Sequence, residues 1–322
     1  MKRTILEVDD LRTSFFTRKG VVRAVDGVSF FIREGETLGI VGESGCGKTV
    51  TGLSVLRLLP EPGGRIVGGR IVLEGKDLLG LAKEEMRAIR GKLVSMILQD
   101  PMTSLNPVYP IGDQIAEAVR LHQNIPKDKI REQVIAAVRL VRIPEAEMIL
   151  DQHPYQLSGG MRQRVVGAIA MSCQPRLLIA DEPTTALDAT IQAQYILLFK
   201  EIQEKTNVAI MFITHDFGVV ADMCHRVSVM YAGKIVETAS TSAIFKKPRH
   251  PYTIALIESV PRLDQKNERL FSIEGQPPSL MNLPPGCRFA PRCSSAIPLC
   301  REQEPPIKYV DDDHSVSCFQ MG

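Results

Sequence analysis

TLGIVGESGCGKT, residues 37–49, joins a short apolar run to a loop that is rich in glycine. The run is apolar and partly β-branched, which is typical of a strand buried on both faces of a sheet. The loop matches the pattern G-x-x-x-x-G-K-S/T, and a helical stretch follows it at once. This order of strand, loop and helix favours a nucleotide-phosphate site in an α/β fold over a glycine-rich turn that binds nothing.

The residue types in this phosphate loop have separate physical tasks. Glycines let the backbone curl so that successive N–H groups converge on phosphate oxygens, and the helix start adds its positive dipole end. Lys48 is expected to reach the β- and γ-phosphates, and the Thr49 hydroxyl is expected to ligate Mg²⁺. Cys46 occupies a variable position, where we interpret it as a tolerated small residue rather than a redox group. The predicted nucleotide contacts are Gly42, Glu43, Ser44, Gly45, Cys46, Gly47, Lys48, Thr49 and Val50.

A second apolar stretch, residues 177–180, ends in the two carboxylates of Asp181 and Glu182. In a parallel sheet beside the phosphate loop, this strand would deliver both carboxylates to the edge where ligands bind. Asp181 then suits water-mediated coordination of Mg²⁺, and Glu182 suits polarisation of the attacking water. Taken alone, such a strand end is more often solvated than functional, so the phosphate loop is what makes it a candidate site.

The composition limits the class of protein. Of the 322 residues, 44% are apolar and 24% are charged, which excludes disorder as the overall state. The net charge of +2 does not indicate a nucleic-acid binder. No apolar run approaches the roughly 18 residues of a bilayer span, and Glu7 interrupts the start before a signal-peptide core forms. We therefore expect a soluble intracellular chain that acts at a membrane only by docking onto another component.

Helical periodicity extends over residues 111 to about 141, with a break at Asn124 and Pro126. A third helix is predicted over residues 157–173 and is capped by Ser158. Nine of the 21 prolines lie after residue 260, where no long periodic segment remains. We interpret that region as a C-terminal tail that has no core of its own. It is expected either to pack against the main domain or to be stabilised by a bound metal centre.

A third motif resembles a known family. Its residues are Leu157, Ser158, Gly159, Gly160 and Met161, which resemble the LSGGQ signature of ABC-transporter ATPases with Met161 in place of the usual Gln. The order of motifs is similar too: phosphate loop, Gln99, signature, Asp181 with Glu182, Ala186 to Asp188, and His215. The resemblance spans about residues 15 to 230. It implies a P-loop NTPase fold with a mixed sheet core, an antiparallel β part and a helical subdomain at about residues 108–172. The ATP-binding domain would cover residues 1–258, and a loop-rich extension residues 259–322.

The resemblance also implies roles for individual residues. Ser158, Gly159 and Gly160 form an anion site at a helix start, which in the family contacts the ATP held by the opposite protomer. Glu182, His215 and Gln99 form the catalytic set. The implied Mg²⁺ ligands are Thr49, Gln99 and Asp181.

Two further roles come from the same resemblance. Asp188 would lie at the dimer seam. Phe15, with Phe16 as the alternative, would stack on adenine, although an aromatic residue in such a strand is as often part of the core. A lone histidine at a strand end is usually a hydrogen-bonded polar group without a catalytic role. Only the ordered series of motifs makes His215 a candidate catalytic residue.

Several segments indicate one subfamily of the ABC-transporter ATPases. Residues 99–107, 153–156 and 250–253 resemble the dipeptide/oligopeptide importer ATPases, and residues 277–280 with 286–293 match their C-terminal extension. With Met161 in the signature, the likeness is to the D-type ATPases of dipeptide permeases. The implied function is ATP hydrolysis that energises peptide uptake, by a peripheral subunit at the cytoplasmic face of the membrane.

The implied partners are a second, non-identical ABC ATPase, two transmembrane permease subunits and an external peptide-binding protein, with no nucleic acid. Nickel, oligosaccharide or another small solute stays open as the cargo. A soluble ABC ATPase outside transport is the alternative of a different class. Such proteins usually carry coiled-coil insertions or two cassettes in one chain, and this sequence has neither.

Four of the seven cysteines lie in the last 36 residues: Cys287, Cys293, Cys300 and Cys318. A reducing compartment makes such a cluster point to metal before disulfides. The spacing C-x₅-C-x₆-C-x₁₇-C lacks the tight pair that is typical of structural zinc sites, so we predict an iron–sulfur cluster of the [4Fe–4S] type. The resemblance agrees, because this extension holds such a cluster in some importer ATPases. Zn²⁺ and reduced free thiols are the alternatives.

Overall fold

The computed structural model describes residues 2–99, 104–185, 187–260, 272–311 and 313–320. Two compact units alternate along the chain. The first unit comprises Met1–Leu6, Ile32–Thr37 and Leu73–Ile213, and the second comprises Glu7–Phe31, Leu38–Val72 and Thr214–Gly322. Residues 100–103 and Ala186, which belong to motifs named above, lie outside the described residues.

The secondary structure alternates between strands and helices. The strands are β1 (Thr4–Thr17), β2 (Gly20–Arg33), β3 (Thr37–Val41), β4 (Gly64–Leu73), β5 (Lys76–Asp77), β6 (Val94–Ile97), β7 (Leu177–Asp181), β8 (Ala209–Thr214), β9 (Arg226–Tyr231), β10 (Lys234–Ser240), β11 (Ile307–Asp311) and β12 (His314–Ser317). The helices are α1 (Lys48–Leu56), α2 (Lys83–Ile89), α3 (Ile111–His122), α4 (Lys127–Leu140), α5 (Gly159–Met171), α6 (Ala189–Thr206), α7 (Phe217–Met223), α8 (Thr241–Lys246), α9 (Pro251–Glu258) and α10 (Pro298–Glu302). Single 3-10 turns lie at Ile149–Asp151, Pro154–Gln156 and Ala290–Arg292. None of the helices in the described part of the chain has the length and apolar character of a membrane span.

The first unit is built on a parallel sheet in the order β8-β7-β6. Leu177 of β7 lies opposite Ala209 of β8 and Val94 of β6. All residues of β7 are buried, as expected of a strand that is covered on both faces. Because parallel strands run in one direction, the residues that follow β6 and β7, including Gln99 and Glu182, emerge at the same edge of the sheet.

Three helices of the first unit pack together through the apolar faces that their periodicity predicts. The buried residues include Ile111, Ile115 and Val119 of α3 and Val134, Ala137 and Val138 of α4. The predicted break separates these helices. Gln123 and Gln133 both donate through Nε2 to the carbonyl oxygen of Ser172, at 2.8 and 3.1 Å. This oxygen lies at the end of α5, where helical carbonyls lack partners within the helix.

Aromatic packing attaches α6 to the sheet of the first unit. Tyr195 and Phe199 of α6 meet edge to face at 4.9 Å between ring centroids, and Phe199 meets Phe212 of β8 at 5.9 Å. The Tyr195 hydroxyl donates to the carbonyl oxygen of Gln163 at 3.1 Å. A buried phenol is thereby satisfied, and α6 is joined to α5.

The second unit contains a mixed sheet in the order β3-β9-β10-β12-β11. β3 is parallel to β9, with Leu38 opposite Arg226 and Val41 opposite Val229. β9, β10, β12 and β11 are joined by antiparallel pairing. In a second sheet, β1 lies between β2 and β4. The predicted α/β class with a mixed sheet and a helical region is therefore confirmed, whereas the domain boundary at residue 258 stays a prediction.

The tail contributes β11 and β12, whereas the sequence predicts a loop-rich extension there. Glu237 of β10 lies opposite Val316 of β12. The Glu237 carboxylate is buried and accepts hydrogen bonds from the N–H groups of Arg249 and His250, and it lies 2.8 Å from Nε2 of His314. The alternation that marks β12 covers only four residues, too few for periodicity to identify a strand.

Arg288 fastens the tail to the rest of the second unit. Its guanidinium donates to the carbonyl oxygen of Ala232 and to the carboxylate of Asp26, and its side chain is 5% exposed. Burial alone would raise the pKa of Asp26, but the hydrogen bond and charge of Arg288 bring that pKa below its ordinary value. Asp26 and Arg288 thus form an ionised pair with little contact to water.

We expect Arg288→Met to lower the free energy of unfolding by about 1–3 kcal/mol at neutral pH, because Asp26 loses its buried partner and keeps only the more exposed Arg12, whose Nη1 lies 3.2 Å from Oδ1. The lowered pKa of Asp26 adds stability above about pH 4, which is lost as the pH falls through the folded-state value. The deficit of the variant should therefore shrink in acid. Urea unfolding followed by circular dichroism measures both effects. Arg301→Met, which changes an exposed arginine of the same tail, is the control. Equal unfolding midpoints for the two variants would contradict a stabilising role for the contact of Arg288 with Asp26.

Candidate functional site

The phosphate loop connects β3 to α1, and glycine is required at two of its positions. Gly42, Gly45 and Gly47 have φ angles of 154°, 76° and 109°. A Cβ at Gly42 would lie 2.1 Å from the carbonyl oxygen of Met230, and one at Gly47 would lie 2.2 Å from that of Ala24. A Cβ at Gly45 would meet nothing within 4 Å. The two ends of the loop, at Gly42 and Gly47, thus pack closely against backbone atoms of the same unit, whereas Gly45 in its middle faces open space.

Lys48 lies across this loop. Its Nζ donates to the carbonyl oxygens of Gly42 and Glu43 at 2.7 and 3.0 Å, and the residue is 5% exposed. Gly47 at the cap of α1 has no side chain to accept from the helix, and the first turn, all of it described, contains no acidic residue. A nearly buried cation, a helix start without a side-chain cap and open space at Gly45 fit the phosphates of a nucleotide.

The remaining loop residues vary in exposure. Ser44 is exposed, whereas Glu43, Thr49 and Val50 are half-buried. Cys46 is 5% exposed, and this burial raises the pKa of its thiol even though Lys48 acts in the opposite direction. The thiol therefore stays protonated, which agrees with its interpretation as a small packed residue.

Gln99 and Glu182 meet in the first unit. Gln99 Nε2 donates to Glu182 Oε2 at 3.0 Å, and the Thr185 hydroxyl donates to the same oxygen at 3.1 Å. Asp181, the last residue of β7, is 1% exposed. Two residues that the sequence predicted as catalytic are therefore in direct contact, and the hydroxyl of a third residue, Thr185, orients the same carboxylate.

The backbone of Glu182 lies in the left-handed region, with φ of 45°. Its N–H donates to the carbonyl oxygen of Ile213 at 2.8 Å, and its carbonyl accepts from the N–H of Thr185 at 3.1 Å. A non-glycine residue in this region costs about 1–3 kcal/mol, and such strain is concentrated at functional sites. No local sequence signal announces this conformation, because it is imposed by the contacts of the residues around Glu182.

The signature motif lies at the start of α5. Ser158 caps this helix as predicted, since its Oγ accepts from the N–H of Met161 at 3.3 Å. Leu157 is buried, while Ser158 and Gly159 are exposed. A Cβ added to Gly160 would lie 3.2 Å from Ile191 of α6. The glycine therefore allows the starts of α5 and α6 to approach closely.

Asp188 caps α6, because its Oδ1 accepts from the N–H of Ile191 at 2.9 Å. Asp188 is exposed. Its role at a dimer seam stays a prediction. His215 is exposed directly after β8. Phe15 is half-buried, whereas Phe16 is 47% exposed and carries the guanidinium of Arg65 at 5.6 Å from its ring centroid.

Two residues that touch the phosphate loop were missed from the sequence. Tyr252 accepts from the N–H of Glu43 at 2.9 Å, and Arg292 forms an ion pair with the Glu43 carboxylate. Tyr252 lies in the segment 250–253, whose sequence indicates a subfamily but no contact, and Arg292 lies beside Cys293, in a stretch without a phosphate-binding motif. No spacing rule connects residues that are more than 200 positions apart.

The iron–sulfur prediction is wrong. Cys287, Cys293, Cys300 and Cys318 line one small cavity, yet in the described part of the chain no group of three or more His, Cys, Asp or Glu residues is placed to hold a metal ion. The Zn²⁺ alternative fails on the same finding. None of the seven cysteines, all of which lie in the described ranges, forms a disulfide, and burial raises the pKa of Cys287 and Cys293. Strand pairing and buried arginines organise this tail, so its cysteines pack as thiols.

Comparison with known proteins gives two family matches. The ABC transporter model matches residues 25–185, and the oligopeptide/dipeptide transporter C-terminal region matches residues 236–300. The dipeptide transport ATP-binding protein DppD of Bacillus subtilis is 51% identical, over 98% of this chain and 94% of that protein. The chain belongs to the ABC transporter family of ATP-binding proteins. The oligopeptide transport ATP-binding protein OppD of the same species is also 51% identical, over 98% of this chain and 89% of its own length.

Solved ABC structures agree with the fold. CbiO1 of Clostridium perfringens, part of the ABC transporter complex CbiONQ, superposes with a TM-score of 0.65 at 25% identity, over 76% of this chain and 92% of that one. The ATP-binding cassette MJ0796 bound to ADP and Pi also gives 0.65, at 21% identity over 73% and 98%, and shows the fold alone. The family inferred from the signature motif is therefore confirmed. An ABC ATPase hydrolyses ATP with Mg²⁺, and its place in a transporter implies a membrane association, permease subunits and an ATPase dimer.

We expect Gly47→Ala to destabilise the nucleotide-free protein by roughly 3 kcal/mol, because the added Cβ is strained and also meets a backbone oxygen. Gly45→Ala is the matched control, since it too has a positive φ but faces open space. It should cost only about 1–2 kcal/mol. Thermal unfolding without nucleotide compares the two variants. Equal losses would mean that crowding against Ala24 does not constrain the loop.

Proposed function

We propose that this chain is the ATP-hydrolysing subunit of an importer for dipeptides or oligopeptides, peripheral at the cytoplasmic face of the membrane. The observation that carries the cargo assignment is the oligopeptide/dipeptide transporter region over residues 236–300, which follows the ATPase region in the same chain. Relatives that share the full arrangement are named as peptide or dipeptide transport ATP-binding proteins.

The phosphate loop is the proposed holder of the ATP phosphates. Its curl, with Lys48 lying over the carbonyl groups of Gly42 and Glu43, supports this role. Thr49, Gln99 and Asp181 are the proposed ligands of Mg²⁺, which when bound neutralises negative charge on the phosphate oxygens. A buried carboxylate and two neutral oxygen donors are ligands that this cation accepts.

Glu182 is the proposed general base. Its carboxylate polarises the attacking water by accepting a proton, as a positioned carboxylate does in general base catalysis. The amide of Gln99 and the hydroxyl of Thr185 both donate to Oε2, so they hold the carboxylate in one orientation. His215 is the proposed contact of the γ-phosphate.

The signature residues are proposed to act on the ATP of a second ATPase subunit. Ser158 and Gly159 are exposed at the start of α5, which supports a role outside their own chain. Asp188, exposed at the start of α6, is proposed to lie at the same seam. Phe15 is proposed to stack on adenine, because the ring of Phe16 already carries Arg65.

We propose a non-identical second ATPase, two transmembrane permease subunits and an external peptide-binding protein as partners. The complex of all subunits in vesicles should accumulate a labelled dipeptide or short oligopeptide when ATP is supplied on the side of this chain. Ni²⁺ and a maltooligosaccharide are the control cargoes. ATP-driven uptake of a control cargo without uptake of any peptide would overturn the cargo assignment and leave the ATPase assignment intact.

We expect Glu182→Gln to reduce steady-state hydrolysis by about 10²–10⁴-fold while ATP affinity stays within about twofold of wild type, because only proton acceptance is lost. Lys48→Ala should instead weaken ATP binding by tenfold or more, as roughly 1.4 kcal/mol of cation–phosphate attraction suffices for that factor. Phosphate release and equilibrium ATP binding separate the two effects. Glu204→Gln, an exposed change on α6, serves as the control. Near-normal turnover of Glu182→Gln would exclude Glu182 as the base.

A further inference from the structure

An ion pair joins the phosphate loop to the C-terminal tail. Arg292 donates through Nη1 to Glu43 Oε2 at 2.7 Å and through Nη2 to Glu43 Oε1 at 3.0 Å. The Arg292 side chain is 4% exposed, and that of Glu43 is 26% exposed. A two-point contact between guanidinium and carboxylate is among the strongest side-chain interactions and fixes the orientation of both groups.

The tail itself determines where this guanidinium lies. Nε of Arg292 donates to the carbonyl oxygen of Glu274 at 3.0 Å, and Nη2 also donates to that of Ile273 at 3.2 Å. The guanidinium carbon lies 5.9 Å from the ring centroid of Tyr231, whose hydroxyl accepts from Nη1 at 3.4 Å. Arg292 is therefore held by neighbours other than Glu43, and it presents a preset anchor to the loop.

The backbone of Glu43 is held by a second residue beyond the ATPase motifs. Its N–H donates to the Tyr252 hydroxyl at 2.9 Å. The ring of Tyr252 is fully buried and packs at 4.5 Å from Tyr231 and 5.3 Å from Phe289 between ring centroids. Burial raises the pKa of Tyr252, so its hydroxyl stays neutral. The carboxylate and the amide of Glu43 are thus both fixed.

The far side of the loop is connected to the tail through the turn between β9 and β10. The N–H of Gly233 donates to the carbonyl oxygen of Cys46 at 2.8 Å. The neighbouring Ala232 carbonyl accepts from Arg288 of the tail, which also pairs with Asp26. Two tail arginines therefore act on the loop, Arg292 directly at Glu43 and Arg288 through one turn.

These contacts bear on the loop's cation, because Lys48 Nζ donates to the carbonyl oxygen of Glu43 at 3.0 Å. The peptide of Glu43 thus connects the anchored side chain to the ammonium group. We propose that Arg292 is a positioning residue for ATP, which presets the phosphate loop through Glu43 and makes the C-terminal tail part of the nucleotide site. This proposal rests on the proposed ATPase function. Its physical basis is that a loop ordered before binding loses less conformational freedom when the nucleotide arrives.

The test measures binding of MgADP to the full chain by titration calorimetry, which needs no turnover. We expect Arg292→Gln and Glu43→Gln each to raise the Kd roughly tenfold, which corresponds to about 1.4 kcal/mol. The double variant should be no weaker than either single variant, because both remove one contact. Arg292→Lys, which keeps the charge but not the two-point contact, should fall between wild type and Arg292→Gln. Arg301→Gln, an exposed change in the same tail, should bind as wild type does.

Hydrogen exchange of the nucleotide-free chain supplies a second readout. Amides of residues 43–48 should exchange faster in Arg292→Gln, while those of β12 keep their wild-type rates. Equal Kd values for wild type and both single variants would overturn the proposal, as would losses that multiply in the double variant. Faster exchange throughout β12 would also overturn it, since Arg292 would then only hold the tail in place.

Failure of the proposed ATPase function and failure of the positioning role of Arg292 would give different results. If wild type binds no MgADP, the proposed function fails, and the exchange rates of the loop still decide whether Arg292 positions it. If Arg292→Gln does not fold, Glu43→Gln decides, because it removes the same contact from the side of the loop and leaves the tail arginine with its other partners.

Discussion

Backbone crowding at the phosphate loop constrains much of what surrounds it in the second unit. The carbonyl oxygens of Met230 and Ala24 occupy the places that a Cβ of Gly42 or Gly47 would need. The loop therefore has to curl between the end of β9 and β2, and its shape is set by packing before any ligand binds. Preset polar groups at a phosphate site bind without first reorganising, and this is how electrostatic sites gain their strength.

Charge pairs with little exposure complete this arrangement. Arg288 and Arg292 have side chains that are 5% and 4% exposed, and each contacts a carboxylate and at least one backbone carbonyl oxygen. Such pairs gain little net stability over apolar packing, but the loss of one partner leaves a buried charge. Their effect is to favour one position of the tail over others. The cysteines of the tail drew a metal prediction, whereas its order comes from these arginines and from the pairing of β12 with β10.

In the first unit, the backbone of Glu182, the residue that follows β7, is held in a strained conformation. Glu182 has a left-handed backbone, and its side chain accepts from Gln99 and Thr185. The N–H of Glu182 continues the hydrogen bonding of β7 toward β8, so the turn begins only after the strand pairing is complete. The burial of β7 and its pairing with strands on both sides stabilise the surrounding structure enough to offset this backbone strain.

The amino-acid sequence by itself determined the features that depend on neighbours in the chain. The strand at Thr37–Val41, the phosphate loop, the caps at Ser158 and the break between α3 and α4 follow from spacing, residue type and local hydrogen bonding. Tertiary structure alone decided the φ of Glu182, the pairing of β12 with β10 and the contact of Arg292 with Glu43. Arg292 and Glu43 are 249 positions apart. A local pattern carries no information on such a pair, because the free energy that joins them depends on the packing of Tyr231, Tyr252 and Phe289 between distant segments.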